Sequence, residues 1–257
     1  MTAKATPAAI AQAALSHACR SVAYTYNDPI IFLEYAVDVA AACHERGIKS
    51  VAVTAGYVCD EPRREFFRHL DAANVDLKAF TDQFYRRLCS GALTPVLETL
   101  DYVRHQTDVW LEITTLLIPG ENDSPQEIEA LSGWIVQHLG ADVPLHFSAF
   151  HPDWKMMETP PTPPETLVRA RRIALDAGLR YVYTGNIHDR ETQSTYCHAC
   201  GARLIGRDWY VLSDWGLSED GACAQCGTPC AGVFEAAAGA WGPQRQPVNV
   251  ELTPVSG

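Results

Sequence analysis

The sequence lacks a long apolar run, an N-terminal export signal and an excess of positive charge. No stretch approaches the roughly 18 apolar residues of a membrane-spanning helix, and residues 1–20 lack the basic start and apolar middle of a signal peptide. Its 31 acidic residues outnumber its 20 basic ones, giving a net charge of -11. Nucleic acids and anionic membranes attract basic surfaces, so neither is expected as a partner. We expect a cytoplasmic protein whose substrate is a small molecule or a partner protein.

What the sequence does contain is the apolar content of a folded protein. Hydrophobic residues make up 47% of the 257 residues, enough for one α/β domain with an appendage or for two ordinary domains. Runs of β-branched and aromatic residues alternate with helical patterns. We predict strands at residues 20–26, 50–54, 73–78, 109–117, 145–150 and 181–184. This alternation requires a parallel sheet with right-handed crossovers, either open or closed into a barrel.

Two of the predicted helices begin with recognisable capping residues. Thr6 precedes Pro7 at the start of a helical pattern over residues 7–18. Ser124 precedes a helix that runs to about residue 139, and Glu127 follows three residues later. This spacing predicts a capping box, in which both side chains bond to the first turn of the helix.

The predicted strands have one apolar and one polar face. The apolar set is Val51, Val53, Val75, Leu77, Leu111, Ile113, Leu145 and Phe147. The polar set is Ser50, Thr54, Asn74, Asp76, Lys78, Glu112, Thr114, His146 and Ser148. Because strand side chains alternate, we expect the apolar set to face the helices and the polar set to share an interior. Such an interior needs internal hydrogen bonds or a bound ligand, so the alternatives are a ligand-binding barrel or half-barrel and a barrel lined by a satisfied polar network.

Five of the nine cysteines crowd into residues 197–230, and four of them form two Cys-x-x-Cys pairs. Cys197 and Cys200 make one pair, Cys223 and Cys226 the other, and glycine follows each pair. The arrangement is typical of a zinc ribbon, in which tight turns direct four sulfurs at one tetrahedral ion. Metal binding supplies folding free energy to such a small segment, so we predict a structural zinc site. A rubredoxin-type iron centre would use the same ligands, and Cys230 is a spare thiol or an alternative ligand.

Five motifs at predicted strand ends carry a family resemblance. They are Tyr-Thr-Tyr-Asn-Asp-Pro at 24–29, Val-Thr-Ala-Gly-Tyr at 53–57, Asn-Val-Asp-Leu-Lys at 74–78, Thr-Thr-Leu-Leu-Ile-Pro-Gly at 114–120 with Asn122-Asp123, and His-Phe-Ser-Ala-Phe-His-Pro-Asp at 146–153. In this order they resemble radical S-adenosylmethionine (radical SAM) enzymes of the pyruvate formate-lyase-activating branch. Within that branch the chain is most similar to the radical SAM component of the AmmeMemoRadiSam system, which implies the other proteins of that system as partners.

The resemblance implies an α/β fold, an incomplete parallel (β/α) barrel that holds S-adenosylmethionine at its mouth. A [4Fe-4S] cluster in such enzymes cleaves S-adenosylmethionine reductively to a 5′-deoxyadenosyl radical. The implied cofactor-binding residues are Tyr26, Asn27, Asp28, Thr54, Gly56 and Asp76. The implied catalytic residues, the last three toward the substrate, are Lys78, Glu112, His146 and His151. Carboxylates and amide oxygens suit an ammonium or ribose hydroxyls, and a lysine suits a carboxylate.

The chain departs from the family at the cluster ligands. The family motif Cys-x-x-x-Cys-x-x-Cys does not occur, and Cys223, Cys226 and Cys230 have the reverse spacing at the far end of the chain. We expect residues 1–190 to form a partial barrel that lacks its first strand and cluster loop and cannot hold the cluster alone. Residues 191–234 are then a zinc-ribbon-like module, and residues 235–257, rich in alanine, glycine and proline, a disordered tail.

Two other functions remain open at this point. One is a non-catalytic module that binds S-adenosylmethionine or docks a partner, since the cofactor residues are kept while the cluster ligands are absent. The other is a cluster-free barrel lyase in which Lys78 forms a Schiff base. Such a lysine more often pairs with a carboxylate, here Asp76 or Glu112. His146 suits a hydrogen-bonded interior position, and His151 suits either a ligand contact or a turn.

Overall fold

The computed structural model describes residues 5–239 and 245–250. A parallel sheet of six strands has the order β1-β2-β3-β4-β5-β6. The strands are β1 (Ser21–Tyr24), β2 (Lys49–Thr54), β3 (Ala72–Asp76), β4 (Trp110–Leu117), β5 (Leu145–Ala149) and β6 (Val182–Gly185). Because β1 and β6 are its two edges, the sheet does not close, which confirms the predicted incomplete parallel barrel. An antiparallel sheet follows, made of β7 (Thr195–Tyr196), β8 (Arg203–Asp208) and β9 (Val211–Trp215).

Helices separate the parallel strands, as the sequence predicts. The longer ones are α1 (Pro7–Ser16), α2 (Leu33–His44), α3 (Asp60–Phe67), α4 (Thr94–Gln106), α5 (Pro125–Trp134) and α6 (Pro164–Asp176). Shorter helical turns cover Pro29–Phe32, Asp82–Phe84, Tyr85–Cys89, Ile135–Leu139, Trp154–Met156 and Arg190–Gln193. Within the described ranges, no helix has the length and apolar character needed to cross a membrane.

Both predicted helix caps are present, although the capping box is only half formed. Thr6 Oγ1 accepts a hydrogen bond from Ala9 N at 3.2 Å, and Ser124 Oγ accepts one from Glu127 N at 3.2 Å. The Glu127 carboxylate does not complete the box, because it accepts a hydrogen bond from Phe80 N at 2.8 Å instead. Burial raises the pKa of this carboxyl group, and the Phe80 N–H opposes that rise. Glu127 thus binds a distant loop instead of its own helix start.

The chain divides into two compact units. The first comprises the described residues up to Leu77, Thr94–Leu111 and residues 245–250, and the second comprises Lys78–Leu93 and residues 112–239. The predicted domain limits at residues 190 and 234 stay predictions. Residues 240–244 and 251–257 of the predicted disordered tail lie outside the described residues.

In the first unit, the prediction for the faces of β2 is wrong. Thr54 pairs with Val75 of β3, and both side chains are buried, whereas Val53 pairs with Asn74 and both are half-buried. Neighbours in a parallel pair point to the same side of the sheet. The polar residues Ser50 and Thr54 therefore lie on the buried face, and the valines of β2 share the half-exposed face with Asn74.

Hydrogen bonds explain how hydroxyl groups of β2 come to be buried. Ser50 Oγ lies 3.1 Å from the hydroxyl of Tyr24, and Thr54 Oγ1 donates to Asp28 at 2.9 Å. A buried hydroxyl with a partner avoids most of the desolvation penalty. Burial raises the pKa of Tyr24 to about 12, with the Ser50 hydroxyl acting in the opposite direction.

In the second unit, the faces of β4 and β5 are as predicted. Ile113, Leu145 and Phe147 are fully buried, whereas Glu112 and His146 are half-buried on the other face. In this unit the polar side chains line the more accessible side of the sheet.

A half-buried carboxylate in the first unit gives a test of how stability depends on pH. Asp71, just before β3, accepts hydrogen bonds from Ser50 N at 2.7 Å and Lys49 Nζ at 3.3 Å, and its Oδ2 lies 2.9 Å from His44 Nε2. Partial burial raises the pKa of Asp71, but the Ser50 N–H, His44 and Lys49 together outweigh it and lower the pKa. Asp71→Asn should reduce the free energy of unfolding at pH 7 by about 1 kcal/mol.

A lowered folded-state pKa contributes stability above the unfolded value of about 3.9, and this contribution disappears as pH falls through the folded value. Urea unfolding at pH 7 and pH 3 should therefore show the difference between parent and Asp71→Asn shrinking at the lower pH. Asp38→Asn, at an exposed position of α2, is the control. An equal difference at both pH values would show that the charge of Asp71 contributes nothing.

Candidate functional site

The turn that follows β1 exposes side chains at a strand end. Tyr26 has a φ of +70° and a side chain that is 95% exposed, and Asn27 is also exposed. Pro29 is buried and begins a short helical turn, which Asp28 caps by accepting a hydrogen bond from Ile30 N at 3.1 Å. The turn is thus anchored by Asp28 and Pro29 and presents Tyr26 and Asn27 outward.

Asp28 also ties this turn to the end of β2. Its Oδ1 accepts from Thr54 Oγ1 at 2.9 Å and its Oδ2 accepts from Ala55 N at 2.7 Å, and we call this set of bonds the Asp28 clip. Thr54 Oγ1 in turn accepts from Gly56 N at 3.1 Å. A carboxylate offers about four acceptor positions, and three of them already bond to this chain. Two predicted cofactor residues, Asp28 and Thr54, therefore hold two strand ends together.

The backbone conformation at position 56 requires glycine. It is buried with a φ of +67°, a conformation that strains residues with a side chain. An added Cβ would lie 2.7 Å from Val75 Cγ1 of the neighbouring strand. Gly56 thus allows β2 to turn away while packing closely on β3. Asp76, the last residue of β3, is half-buried on the side of the sheet that also carries Asn74.

In the second unit, the main chain of Lys78 is fixed on both sides. Its N–H donates to the hydroxyl of Tyr85 at 3.1 Å, and its carbonyl accepts from Asn122 Nδ2 at 2.7 Å. The side chain is half-buried, and its charge opposes the rise that burial causes in the pKa of Cys89. The structure therefore fixes the backbone position of this lysine.

The side chain of Asn122 connects Lys78, after β3, to the end of β4. Its side chain is buried, and its Oδ1 accepts from Ile118 N at 2.7 Å while its Nδ2 donates to the carbonyls of Lys78 at 2.7 Å and Leu116 at 2.8 Å. Three backbone groups of two segments thus depend on one amide. The sequence shows Asn122 only as part of a motif, just after a Pro-Gly turn, and gives no other sign of this role.

Two predicted residues, Glu112 and His146, come together on the half-exposed face of β4 and β5. His146 Nε2 lies 2.8 Å from Glu112 Oε2, and the two side chains are 31% and 36% exposed. The imidazole stacks on the ring of Tyr183, with centroids 5.0 Å apart and planes inclined at 27°. A carboxylate bonded to one imidazole nitrogen sets the orientation of the ring, so this pair can accept or deliver a proton at the other nitrogen.

Tyr183 was not predicted as a site residue. It lies beside His146 in the register of β5 and β6, and its hydroxyl is hydrogen-bonded to Thr195 Oγ1 at 3.0 Å. The Arg207 guanidinium lies 5.6 Å from the centre of its ring and also donates to Thr195. Burial raises the pKa of Tyr183, whereas the Thr195 hydroxyl and Arg207 act to lower it. These contacts connect the Glu112–His146 pair to the antiparallel sheet.

Within the described residues, His151 makes no contact with the other predicted site residues. It lies in the exposed loop after β5, with its Nδ1 2.9 Å from the carbonyl oxygen of Pro152. This position agrees with the turn, one of the two roles that the sequence suggests for His151. Its role toward a ligand stays a prediction.

The four paired cysteines form a cluster of ligand atoms. All four sulfurs lie within 4.8 Å of one another, with Cys197 Sγ 3.6 Å from Cys226 Sγ and Cys200 Sγ 3.7 Å from Cys223 Sγ. A tetrahedral ion with sulfurs at about 2.3 Å separates those sulfurs by about 3.8 Å. The geometry therefore fits one tetrahedral ion and could bind a metal.

Glycines shape the two turns that present these sulfurs. Gly201 N donates to the carbonyl of Cys197 at 2.9 Å, and Gly227 N donates to the carbonyl of Cys223 at 2.8 Å. Their φ angles are +73° and +74°, which glycine adopts without strain. Cys230 is not among the four ligand atoms, and burial raises the pKa of its thiol.

The four-cysteine segment packs on the last parallel strand. A buried cluster contains Tyr181, Cys197, Leu204, Ile205, Leu217, Cys223 and Cys230. The hydroxyl of Tyr181, which directly precedes β6, accepts a hydrogen bond from Ala231 N at 3.1 Å. Cys197 and Cys223 thus lie in a small core of the second unit that also contains Tyr181.

Comparison with known proteins identifies relatives for this fold. Over 202 residues the chain is 40% identical to the uncharacterized protein MJ0808 of Methanocaldococcus jannaschii, and the match covers 79% of this chain. The chain spans about 60% of the length of that protein.

Two solved structures show the same fold at low sequence identity. A domain of pyruvate-formate lyase-activating enzyme from Bacteroides vulgatus is 20% identical, with a TM-score of 0.56 over 65% of this chain and 99% of that domain. SuiB of Streptococcus suis, in its complex with S-adenosylmethionine, is 14% identical, with a TM-score of 0.58 over 73% of this chain and 45% of SuiB.

A match of the sequence to a family shows the family of this chain. Residues 3–131, half of the chain, match the Radical SAM superfamily. This match covers β1 to β4, and with them the turn at Tyr26–Pro29, the Asp28 clip and Glu112. The chain therefore belongs to the radical SAM superfamily.

Proposed function

We propose that this chain is the S-adenosylmethionine-binding part of a radical SAM enzyme of the activating-enzyme type, within the AmmeMemoRadiSam group. The observation that carries the proposal is the Asp28 clip, which fixes an exposed polar turn against the end of β2. Ligands of alternating α/β folds bind at such carboxyl ends of strands. Membership of the superfamily supports the cofactor class.

The residues of the first unit suit the cofactor chemically. The amide oxygen of Asn27 and the carboxylate of Asp76 can accept hydrogen bonds from an ammonium group or ribose hydroxyls. Asp28, Thr54 and Gly56 act on the backbone and hold the turn and the strand end in place. Bound S-adenosylmethionine supplies an alkyl sulfonium that can be cleaved, and the contribution of this chain is to bind and orient it.

The residues of this chain do not fit the [4Fe-4S] cluster of the family. The sequence has no Cys-x-x-x-Cys-x-x-Cys motif. In the described part of the chain, Cys197, Cys200, Cys223 and Cys226 are the only set of three or more potential metal ligands that lie together, and their spacing fits a single ion. We therefore propose that this chain alone does not hold the cluster, and that the four cysteines bind a structural metal ion, zinc or iron.

The second unit would act on the substrate. We propose that the Glu112–His146 pair binds or deprotonates the substrate, with Lys78 and His151 as further contacts. The proposed substrate is a small molecule or a partner protein, the proposed partners include other AmmeMemoRadiSam proteins, and the proposed location is the cytoplasm. The acidic composition supports partners other than nucleic acid or an anionic membrane.

A titration calorimetry experiment with S-adenosylmethionine tests the binding function. The parent chain should give saturable heat, and Asp28→Ala should weaken binding by about tenfold or more, because the turn loses two bonds to β2. Asp38→Asn, an exposed acidic residue of α2, is the control and should bind like the parent. A folded parent chain without measurable heat would contradict the proposal.

The missing cluster motif favours one second function, a non-catalytic module that binds S-adenosylmethionine or docks a partner. The two functions predict different results after reconstitution with iron, sulfide and a reductant. A non-catalytic module binds S-adenosylmethionine without releasing 5′-deoxyadenosine, whereas release of 5′-deoxyadenosine that persists when the five C-terminal cysteines are replaced would establish a cluster site elsewhere.

A further inference from the structure

A cavity of about 500 Å³ lies beside β6 in the second unit. Its walls come from α6, from residues 179–183 at the start of β6 and from residues 194–198, which include Cys197 of the first cysteine pair. None of the residues assigned above to S-adenosylmethionine or to the substrate lines it. The volume is in the range of pockets that take small molecules.

Arg171 of α6 brings a positive charge to this cavity. Its Nε donates to the carbonyl of Val182 at 2.9 Å, which fixes the guanidinium against the outer edge of β6. Within the described residues, no carboxylate lies within 4.0 Å of this group, and neither Nη atom has a hydrogen-bond partner. The other arginine in the wall, Arg180, is already bonded to both carboxylate oxygens of Asp142, at 2.9 and 3.1 Å.

Arg171 has no carboxylate partner although the chain contains 31 acidic and 20 basic residues. Among the described residues Arg169, Arg172 and Arg207 also have none within 4.0 Å, but of these four only Arg171 lines the cavity. Arg171 is half-buried, and a partly desolvated charge is stabilised by an anion that can form two parallel hydrogen bonds with it. The two free Nη groups present the donor geometry that a carboxylate accepts.

The rest of the wall has both apolar and polar parts. The apolar and aromatic part consists of Leu175, Leu179, Val182, Tyr181, Tyr183 and Tyr196, and the polar part of Ser194, Cys197 and His198. A hydrophilic anion such as phosphate would leave the apolar and aromatic part without partners. A ligand with one anionic group and an apolar or aromatic body would pair with both parts of the wall.

We propose that this cavity binds a small amphipathic acid, an aryl or alkyl carboxylate, whose carboxylate pairs with Arg171 and whose body packs between Leu175, Leu179 and the tyrosine rings. The site is independent of the S-adenosylmethionine function, because it uses none of those residues. It gives the chain a second small-molecule site, next to the four-cysteine segment.

Benzoate is the probe for the experiment, with benzyl alcohol as its uncharged counterpart. Saturation-transfer NMR and calorimetry on the full chain should detect saturable benzoate binding with a Kd of about 1 mM or below, and clearly weaker binding of benzyl alcohol. Arg171→Gln should weaken benzoate binding by about tenfold or more. Arg172→Gln removes the same charge from the next, exposed position of α6 and should leave binding unchanged.

Leu175→Trp provides an independent variant, because it keeps Arg171 and fills the cavity with a larger side chain. It should also abolish benzoate binding, and a thermal melt shows whether each variant is folded. The absence of saturable benzoate binding to the parent chain would overturn the proposal. Equal loss in Arg171→Gln and Arg172→Gln, or full binding in Leu175→Trp, would overturn it as well.

Discussion

Cys197→Ser is expected to release the metal from the four-cysteine site and to unfold residues 195–231. The four sulfurs are arranged for one tetrahedral ion, and Cys197 is also buried in the small core of this segment. Structural zinc contributes about 10–16 kcal/mol of apparent binding free energy in zinc-finger peptides, so a segment of this size depends on its metal to fold. The short strands β7 to β9 offer little other core.

Elemental analysis and hydrogen exchange measure this effect together. The parent should contain one equivalent of zinc or iron, and Cys197→Ser should contain close to none, with amide exchange in residues 195–231 faster by about 100-fold or more. Cys230→Ala is the matched control, since Cys230 lies in the same core but outside the four ligand atoms. Retention of a full equivalent of metal in Cys197→Ser, or its loss in Cys230→Ala, would refute the assignment of the ligands.

Asn122→Ala is expected to lower the free energy of unfolding of the second unit by about 3 kcal/mol. The amide bonds three backbone groups, at Ile118, Lys78 and Leu116, and its removal deletes one buried and two partly buried hydrogen bonds. Each buried polar group that loses its partner costs about 1–3 kcal/mol, and partial access of water to the vacated space reduces the sum.

Urea unfolding measures the change, with Asp123→Ala as the neighbouring control. Asp123 is less buried, and its side chain accepts a single hydrogen bond, from Gly120 N at 2.8 Å, so its removal should cost about 1 kcal/mol or less. Equal losses in the two variants would show that the buried amide has no special role. The Lys78 carbonyl loses its partner in Asn122→Ala, so the same variant tests whether the position of Lys78 depends on Asn122.

Much of the fold could be predicted because its signals are local. The caps at Thr6 and Ser124 and the Cys-x-x-Cys-Gly turns each depend on residues within a few positions, so spacing alone identifies them. The faces of β4 and β5 could also be predicted, since their buried side chains are large and apolar.

The orientation of β2 could not be predicted in this way. Ser50 and Thr54 look like residues of a polar interior, but their partners, Tyr24 and Asp28, lie 26 residues earlier in the chain. A buried hydroxyl and an exposed one look the same in a sequence, because only the distant partner distinguishes them. This is why two candidate cofactor residues are found holding strand ends together.

The candidate site was predicted in part for the same reason. The sequence places Glu112 and His146 on one face, but it gives no sign that Tyr183 stacks on the imidazole or that Arg207 lies against Tyr183. Asn122 likewise acts on a segment 44 residues away. Contacts over such separations depend on the packed fold.

Tyr183 contacts both the Glu112–His146 pair and the segment before the cysteines. One face of its ring stacks on His146, while its hydroxyl is bonded to Thr195, two residues before Cys197, the first of the four candidate metal ligands. If metal binding shifts Thr195 and thereby changes the free energy of ligand binding at His146, then ligand binding at His146 changes the free energy of metal binding by the same amount. Under such coupling, the affinity for the metal ion would depend on whether a ligand occupies His146, although the ion does not contact that ligand.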